Sequence, residues 1–274
     1  MAIFECNLFS KTLYSSVQVN VILPTPDSSA EFFATTTKYP EPGQKFQTLY
    51  LLHGFSADYT DWQRFSRIET YAQAHHLAVV LASANNSSYC DLPYGGQYFK
   101  FFTEELPTLL RAIFPLSDKR EDNFVAGLSM GGYGALKMGL LKPENYAAAA
   151  SLSGGLGDRR PKKTADSKMP PIPSEKYRYN QYGENMEYFD ENRDDLTVVL
   201  KNAARDGVDL PKLYVCCGTE DFAYRNSVAF QELAESLGVE FTYAEGPGVH
   251  DFDFWDPYIR KILNWLPLKH GFAE

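Results

Sequence analysis

Two periodicities of apolar residues divide the chain. Near the N-terminus Val17, Val19, Val21 and Leu23 alternate with Gln18 and Asn20, the period of two that marks a strand with one buried face. Phe4 to Phe9 is a second short run, so this region predicts an edge hairpin or meander of antiparallel strands. After a loop rich in Thr, Pro and Gly that ends near Lys45, the pattern changes. Continuous apolar runs now alternate with helical stretches. The runs are Thr48 to Leu52, Leu77 to Ala82, Asn123 to Ala126, Ala147 to Leu152, Lys212 to Cys217 and Glu240 to Ala244. Unbroken apolarity of this kind belongs to strands buried on both faces. Helical periodicity lies near Trp62 to Ala74, Thr103 to Phe114, Gly132 to Leu141, Leu196 to Ala204, Ala223 to Leu237 and Pro257 to Leu266. Strands that alternate with helices predict parallel strands joined by crossover helices. The expected fold class is α/β, with a mostly parallel eight-stranded sheet, helices on both faces, and one domain over residues 1–274.

One interval breaks the alternation. Residues 157–195, after the sixth strand, are dense in Pro, Lys, Arg, Asp and Tyr and exceed an ordinary connection of about two to six residues. An insertion there would hang over the C-terminal edge of the sheet, where open α/β folds bind ligands. It is read as a lid or pocket wall, or else as a surface loop or subunit contact. The chain contains no internal repeat.

Composition narrows the function classes. A chain of 274 residues buries about three-quarters of its unfolded surface, and 44% hydrophobic with 15% aromatic residues is far from a disordered profile. With 35 acidic against 26 basic residues the net charge is −9, which disfavours nucleic acid as a partner. No run of 18 apolar residues occurs, and the N-terminus Met1-Ala2-Ile3-Phe4-Glu5-Cys6 has no basic start. The expectation is no membrane association and a cytoplasmic location, although a removed signal peptide would leave the same absence. Cys6, Cys90, Cys216 and Cys217 lack C-x-x-C spacing and read as reduced core residues. A homo-oligomer is compatible with all of this.

The chemistry begins at Gly127-Leu128-Ser129-Met130-Gly131, between a predicted strand and a helix read as amphipathic. A serine on a sharp strand-to-helix turn exposes its hydroxyl, and the turn has no room for side chains two residues before and after it. Alone, the pattern also describes a glycine-rich turn with an incidental serine. A nucleophilic serine needs a base, and the base needs an orienting acid. Of five histidines, His75 and His76 adjoin a helix end and His270 lies in the polar tail, so these read as surface residues. His53 ends a strand before Gly54 and is better placed to shape a loop. His250, in the loop after the last strand, remains as the base. After Lys212 to Cys217 come Glu220 and Asp221. Asp221 is the chosen acid from its G-x-x-D spacing and short reach, Glu220 then being a solvent-facing neighbour. An Asp at that position also reads as a helix N-cap. Backbone N–H groups of Met130, at the helix start, and of Phe55, after Gly54, are the expected oxyanion donors. Trp62 and Trp255 are candidates to line a substrate pocket, as are Tyr94, Phe252 and Phe254. The turns Asn85-Asn86-Ser87-Ser88 and Gly95-Gly96-Gln97 border the site with no assigned duty.

Four stretches together resemble the esterase D family: Leu51-Leu52-His53-Gly54-Phe55-Ser56, Tyr98 to Pro107, Gly127 to Leu136, and Gly218-Thr219-Glu220-Asp221-Phe222. Within that family the chain resembles the bacterial tributyrin esterases, and the resemblance runs from about Phe4 to Leu266. It implies an α/β-hydrolase fold, no metal or organic cofactor, and hydrolysis of carboxylic esters with short acyl chains. The family's triad maps onto Ser129, Asp221 and His250, with oxyanion donors at Phe55 and Met130. Related branches cleave S-formylglutathione, acetylated sugars or feruloyl and cinnamoyl esters, and more distant ones transfer acyl groups, so a small ester is the implied substrate. The contrasting class, a non-catalytic binding protein on the same fold, is disfavoured because all three triad residues are present. From Gly157 to Lys176 the chain departs from its relatives in a basic, proline-rich piece.

Overall fold

The alternation of apolar residues decides which strands lie at the edges and which at the centre. The computed structural model describes residues 1–26, 42–157 and 179–269. Its eight strands are β1 (Ala2–Ser10), β2 (Ser15–Leu23), β3 (Thr48–Leu52), β4 (Ala78–Ala82), β5 (Asn123–Leu128), β6 (Ala148–Leu152), β7 (Lys212–Gly218) and β8 (Phe241–Gly246). They form one sheet in the order β1-β2-β4-β3-β5-β6-β7-β8. β1 and β2 pair antiparallel, β2 pairs antiparallel with β4, and the remaining neighbours are parallel. The unbroken apolar runs β3 to β6 are buried at every residue, whereas the outer strands β1 and β8 are mostly half-buried or exposed. This is the α/β-hydrolase fold.

Helices cover both faces. On one face α1 (Asp61–Phe65), α2 (Ile68–Ala74) and a C-terminal helix pack through Trp62, Ile68, Tyr71, Trp255, Ile259 and Ile262. On the other, α3 (Leu106–Ile113), α4 (Met130–Leu141), α5 (Glu191–Asp194), α6 (Leu196–Arg205) and α7 (Tyr224–Ser236) complete the fold, with Leu106, Tyr133, Leu136, Leu200 and Phe230 in the core. The C-terminal helix is α8 (Phe252–Trp265), which begins five residues before the predicted Pro257 because Asp251 caps it, accepting from the Asp253 and Phe254 amides. Register brings the C-terminal ends of the strands level: Leu52 pairs with Gly127, Leu128 with Leu152, and Gly218 with Gly246. The loops after β3, β5, β7 and β8 therefore meet at one edge.

Several elements differ from the sequence expectation. The helix predicted over Trp62 to Ala74 is two helices, broken at Ser66, whose hydroxyl accepts the Ile68 amide and starts the second one. The helix predicted from Thr103 starts at Tyr98 and passes through a π-helical turn, Phe101–Glu105, into α3. α4 is not amphipathic but buried on all sides from Met130 to Leu140, Lys137 included. Of the 157–195 insertion, 158–178 lies outside the described residues. The rest packs against the body, with Gln181 Nε2 donating to Ser88 Oγ at 2.6 Å. His75 is buried, not superficial, and joins α2 to α8 through Tyr71 O at 2.7 Å and Asn264 Oδ1 at 2.9 Å. His270 lies outside the described residues. The four cysteines are free, and Cys6 is only half-buried. Among the described residues no helix is long and apolar enough to cross a membrane.

Candidate active site

Ser129 sits on the turn from β5 into α4 with φ +52°, a left-handed conformation that a serine adopts only under strain. Packing enforces it. A Cβ on Gly127 would lie 2.5 Å from the Gly131 carbonyl, and one on Gly131 would lie 2.5 Å from the Leu52 carbonyl oxygen. Neither position admits a side chain, which is why the serine stands between glycines.

Three side chains that are far apart in sequence meet there. His250 Nε2 lies 2.8 Å from Ser129 Oγ, and His250 Nδ1 lies 2.8 Å from Asp221 Oδ2. The carboxylate can only accept, so Nδ1 carries the proton and Nε2 is left to accept from the serine hydroxyl. Burial pushes the Asp221 carboxyl up, but the His250 hydrogen bond and the Ala223 amide outweigh it and hold the group below the usual carboxylate range. The Ala223 amide donates to Asp221 Oδ1 at 2.8 Å. Ala223 is itself the N-cap of α7, which receives no side-chain cap, so Asp221 holds the turn before the helix and pairs with the imidazole rather than capping the helix. The Asp221 side chain is fully buried, while His250 keeps 21% of its side-chain surface exposed.

The loop bearing His250 is held on every side. Phe222 packs on the imidazole at 4.3 Å between ring centroids, and Trp255 meets it edge to face at 4.9 Å. Glu220 is exposed, yet it is more than the solvent-facing neighbour expected. Its carboxylate accepts the Gly248 amide at 2.6 Å, and its own amide donates to the Gly248 carbonyl at 3.1 Å. A Cβ on Gly218 would come within 2.2 Å of that carbonyl oxygen, so the two loops touch backbone to backbone.

Both stretches expected to supply oxyanion donors lie next to Ser129. Met130 is the first residue of α4 and directly follows Ser129. A Cβ on Gly54 would lie 3.6 Å from Ser129 Cβ, which places the Gly54–Phe55 peptide alongside it. His53 shapes this loop. Its Nε2 accepts the Ala84 amide at 2.8 Å, so Nδ1 holds the proton directed at Gly54 O, 2.7 Å away. Burial lowers the His53 pKa and keeps the ring neutral. Asn86 Oδ1 accepts the Ser56 amide at 2.8 Å and Tyr89 OH donates to the His53 carbonyl at 3.0 Å.

The two tryptophans named as pocket residues are both buried. Trp62 is 1% exposed, donates through Nε1 to Leu52 O at 3.0 Å and packs against Phe252. It supports the end of β3 and offers no surface to a ligand. Trp255 is 6% exposed and contacts His250. The aromatic surface that does face solvent beside His250 is Phe222, 45% exposed. Its position directly after Asp221 was the signal for it. No group of three or more His, Cys, Asp or Glu that could hold a metal ion occurs among the described residues.

Known proteins share this arrangement of chain. The family model described as "Putative esterase" matches residues 10–266. An acetyl esterase of Caldicellulosiruptor saccharolyticus is 32% identical over 267 residues, covering 97% of this chain and 98% of that protein. Among solved structures, the Staphylococcus aureus fluorophosphonate-binding serine hydrolase FphF, substrate bound, superposes with a TM-score of 0.82 at 32% identity, covering 97% of this chain and 98% of that one. The S. aureus S-formylglutathione hydrolase FrmB, as apoenzyme, has a TM-score of 0.79, also at 32% identity, with the same coverage of 97% and 98%.

Proposed function

The chain belongs to the putative esterase family, a serine hydrolase acting on carboxylic ester bonds, and we propose that it cleaves short-chain acyl esters through an acyl-enzyme on Ser129. The observation that carries this reading is the hydrogen-bonded run Asp221–His250–Ser129 ending at a strained, half-buried serine. Ser129 Oγ attacks the ester carbonyl as His250 Nε2 takes its proton, and Asp221 stabilises the imidazolium. The Phe55 and Met130 amides hold the oxyanion, worth about 10²–10³ in rate per donor. His250 then protonates the leaving alcohol, and a water molecule activated by the same nitrogen releases the acid.

Short acyl groups are supported by the acetyl esterase relative and by the motifs shared with the esterase D and tributyrin esterase branch. A thioester substrate is the second reading, supported by the likeness to FrmB. Four free cysteines support a reducing, cytoplasmic setting. The test is an ester panel from acetyl to octanoyl, with feruloyl and S-formylglutathione arms, and covalent labelling of Ser129 by a fluorophosphonate. A steep fall in kcat/KM beyond butyrate is expected. A preference for octanoyl or for the thioester would replace the short-ester reading, and an unlabelled Ser129 would remove the mechanism.

A further inference from the structure

The turn Asn85-Asn86-Ser87-Ser88-Tyr89 follows β4 and carries no triad residue, yet its backbone is strained. Asn85, Ser88 and Tyr89 have φ of +48°, +51° and +55°, the left-handed region that residues other than glycine enter at a cost. Contacts with remote parts of the chain enforce it. Asn85 Nδ2 donates to Tyr98 OH at 2.6 Å, the Ala84 amide donates to His53 Nε2 at 2.8 Å, and Gln181 Nε2 donates to Ser88 Oγ at 2.6 Å. The Tyr89 ring meets Phe102 edge to face at 5.0 Å. It also lies against α4 where that helix has no side chain, since a Cβ on Gly134 would come within 2.5 Å of Tyr89 Cδ2.

The turn directs two polar groups at one loop. Tyr89, fully buried, donates from its hydroxyl to the His53 carbonyl at 3.0 Å. Asn86 Oδ1 accepts the Ser56 amide at 2.8 Å, and Ser56 is itself left-handed with φ +62°. Between those two anchors stand only Gly54 and Phe55, the pair beside the nucleophile, a Cβ on Gly54 lying 3.6 Å from Ser129 Cβ. On the premise that Ser129 is the nucleophile and the Phe55 amide an oxyanion donor, we propose that Asn86 and Tyr89 are positioning residues. They clamp the two ends of Gly54–Phe55 and so aim the Phe55 amide at the carbonyl oxygen of the ester under attack. Because Tyr89 rests on α4, the clamp ties this loop to the helix that Ser129 precedes.

The test is steady-state kinetics on 4-nitrophenyl acetate for Asn86→Ala, Tyr89→Phe, the double variant and Ser129→Ala, together with inhibition by a short alkyl trifluoromethyl ketone. Addition of Ser129 Oγ to that ketone passes the serine proton to His250 and the carbonyl π pair to the oxygen, so the adduct carries an oxyanion and reads the hole directly. Losing a whole donor costs about 10²–10³, and a loosened one less. Expected is a fall of about 10-fold in kcat for each single variant with KM within about two-fold, and a loss of ketone affinity matching the fall in kcat/KM. The double variant falls by less than the product, because either clamp alone frees the same dipeptide. Asn86 is exposed, so its variant reads the clamp even if Tyr89→Phe disturbs the core. Wild-type kcat in both single variants, a raised KM at unchanged kcat, losses that multiply, or slower turnover at wild-type ketone affinity would each overturn the proposal while Ser129→Ala still abolishes activity. Wild-type turnover by Ser129→Ala would overturn the site reading itself, and the clamp with it.

Discussion

Two polar chains leave helix α4, one at its first turn and one two turns later, and they terminate differently. At the start, Ser129, His250 and Asp221 run from a half-buried hydroxyl to a buried carboxylate. Further along, Lys137 Nζ donates to Asp194 Oδ1 at 2.7 Å and to Cys90 Sγ at 3.1 Å, with the Phe99 and Tyr133 rings each 5.7 Å away. Asp194 Oδ2 also accepts from Arg193 Nη2 at 2.8 Å and from the Asp190 amide at 3.1 Å. Burial works against the charge on Lys137, and neighbouring Cys90 and Asp194 more than offset it. Asp194 likewise stays below the usual carboxylate range, Lys137 and Arg193 outweighing its burial. In this second network the strong donors and acceptors already have partners, leaving nothing for a ligand. The first keeps a partly exposed imidazole and a half-buried hydroxyl at its open end. The lesson is that a buried acid–base pair marks structure when its network closes and chemistry when one end stays open.

The sharpest separation comes from removing one member of each. Ser129→Ala is expected to lower kcat on 4-nitrophenyl butyrate by about 10⁴-fold or more, with urea-unfolding stability nearly unchanged. Lys137→Met should do the reverse. It leaves Asp194 buried beside Arg193 without its lysine, a defect of about 3–5 kcal/mol, while the folded fraction keeps most of its turnover. Adding Asp194→Leu should recover part of that stability, since an apolar pair carries no uncompensated charge. Urea unfolding with active-site titration checks both. Equal losses of activity in the two single variants would erase the distinction.

That distinction could be read only in part from the chain. The glycines around Ser129 advertise a steric demand that is local, and so the turn was legible. The order of Ser129, Asp221 and His250 followed from strand-end loops, whose alternation with helices is also local. Lys137 was not legible, because a helix buried all round has no polar face to betray it, and the segment covering it joins from 57 residues downstream. Trp62 misled for a related reason: α1 spans five residues, too few for periodicity to tell which way a ring turns. Asn86 and Glu220 act through hydrogen bonds to loops remote in sequence, and no spacing encodes such contacts.

A milder probe concerns His53, a titratable group that belongs to neither chain but supports the open one. Its folded pKa is depressed by burial, against about 6.5 when unfolded. Below about pH 6.5 the unfolded chain therefore takes up a proton that the folded one refuses, and stability falls as pH drops toward the folded pKa. The slope attributable to this group is at most about 1.4 kcal/mol per pH unit. His53→Gln removes the titration, so its stability profile between pH 6.5 and 5 should be flatter than that of the wild type. Parallel profiles would show that His53 does not remain neutral in the fold.

The smallest effect is expected at Glu220, where the comparison is tested at its most exposed point. The carboxylate holds the Gly248 amide and thereby the loop that presents His250. Being in water, it contributes little to global stability, so Glu220→Ala should leave Tm unchanged. Its effect should appear in kcat, a fall of about two- to five-fold, because a looser loop spends less time with His250 aligned on Ser129. Glu220→Gln retains an acceptor oxygen for the same amide and should restore most of the rate. Such rescue would assign the contribution to the hydrogen bond, whereas a glutamine variant as slow as alanine would assign it to the charge. In either case a Tm drop comparable to that of Lys137→Met would mean that the loop around His250 is as closed a structural unit as the network it is contrasted with.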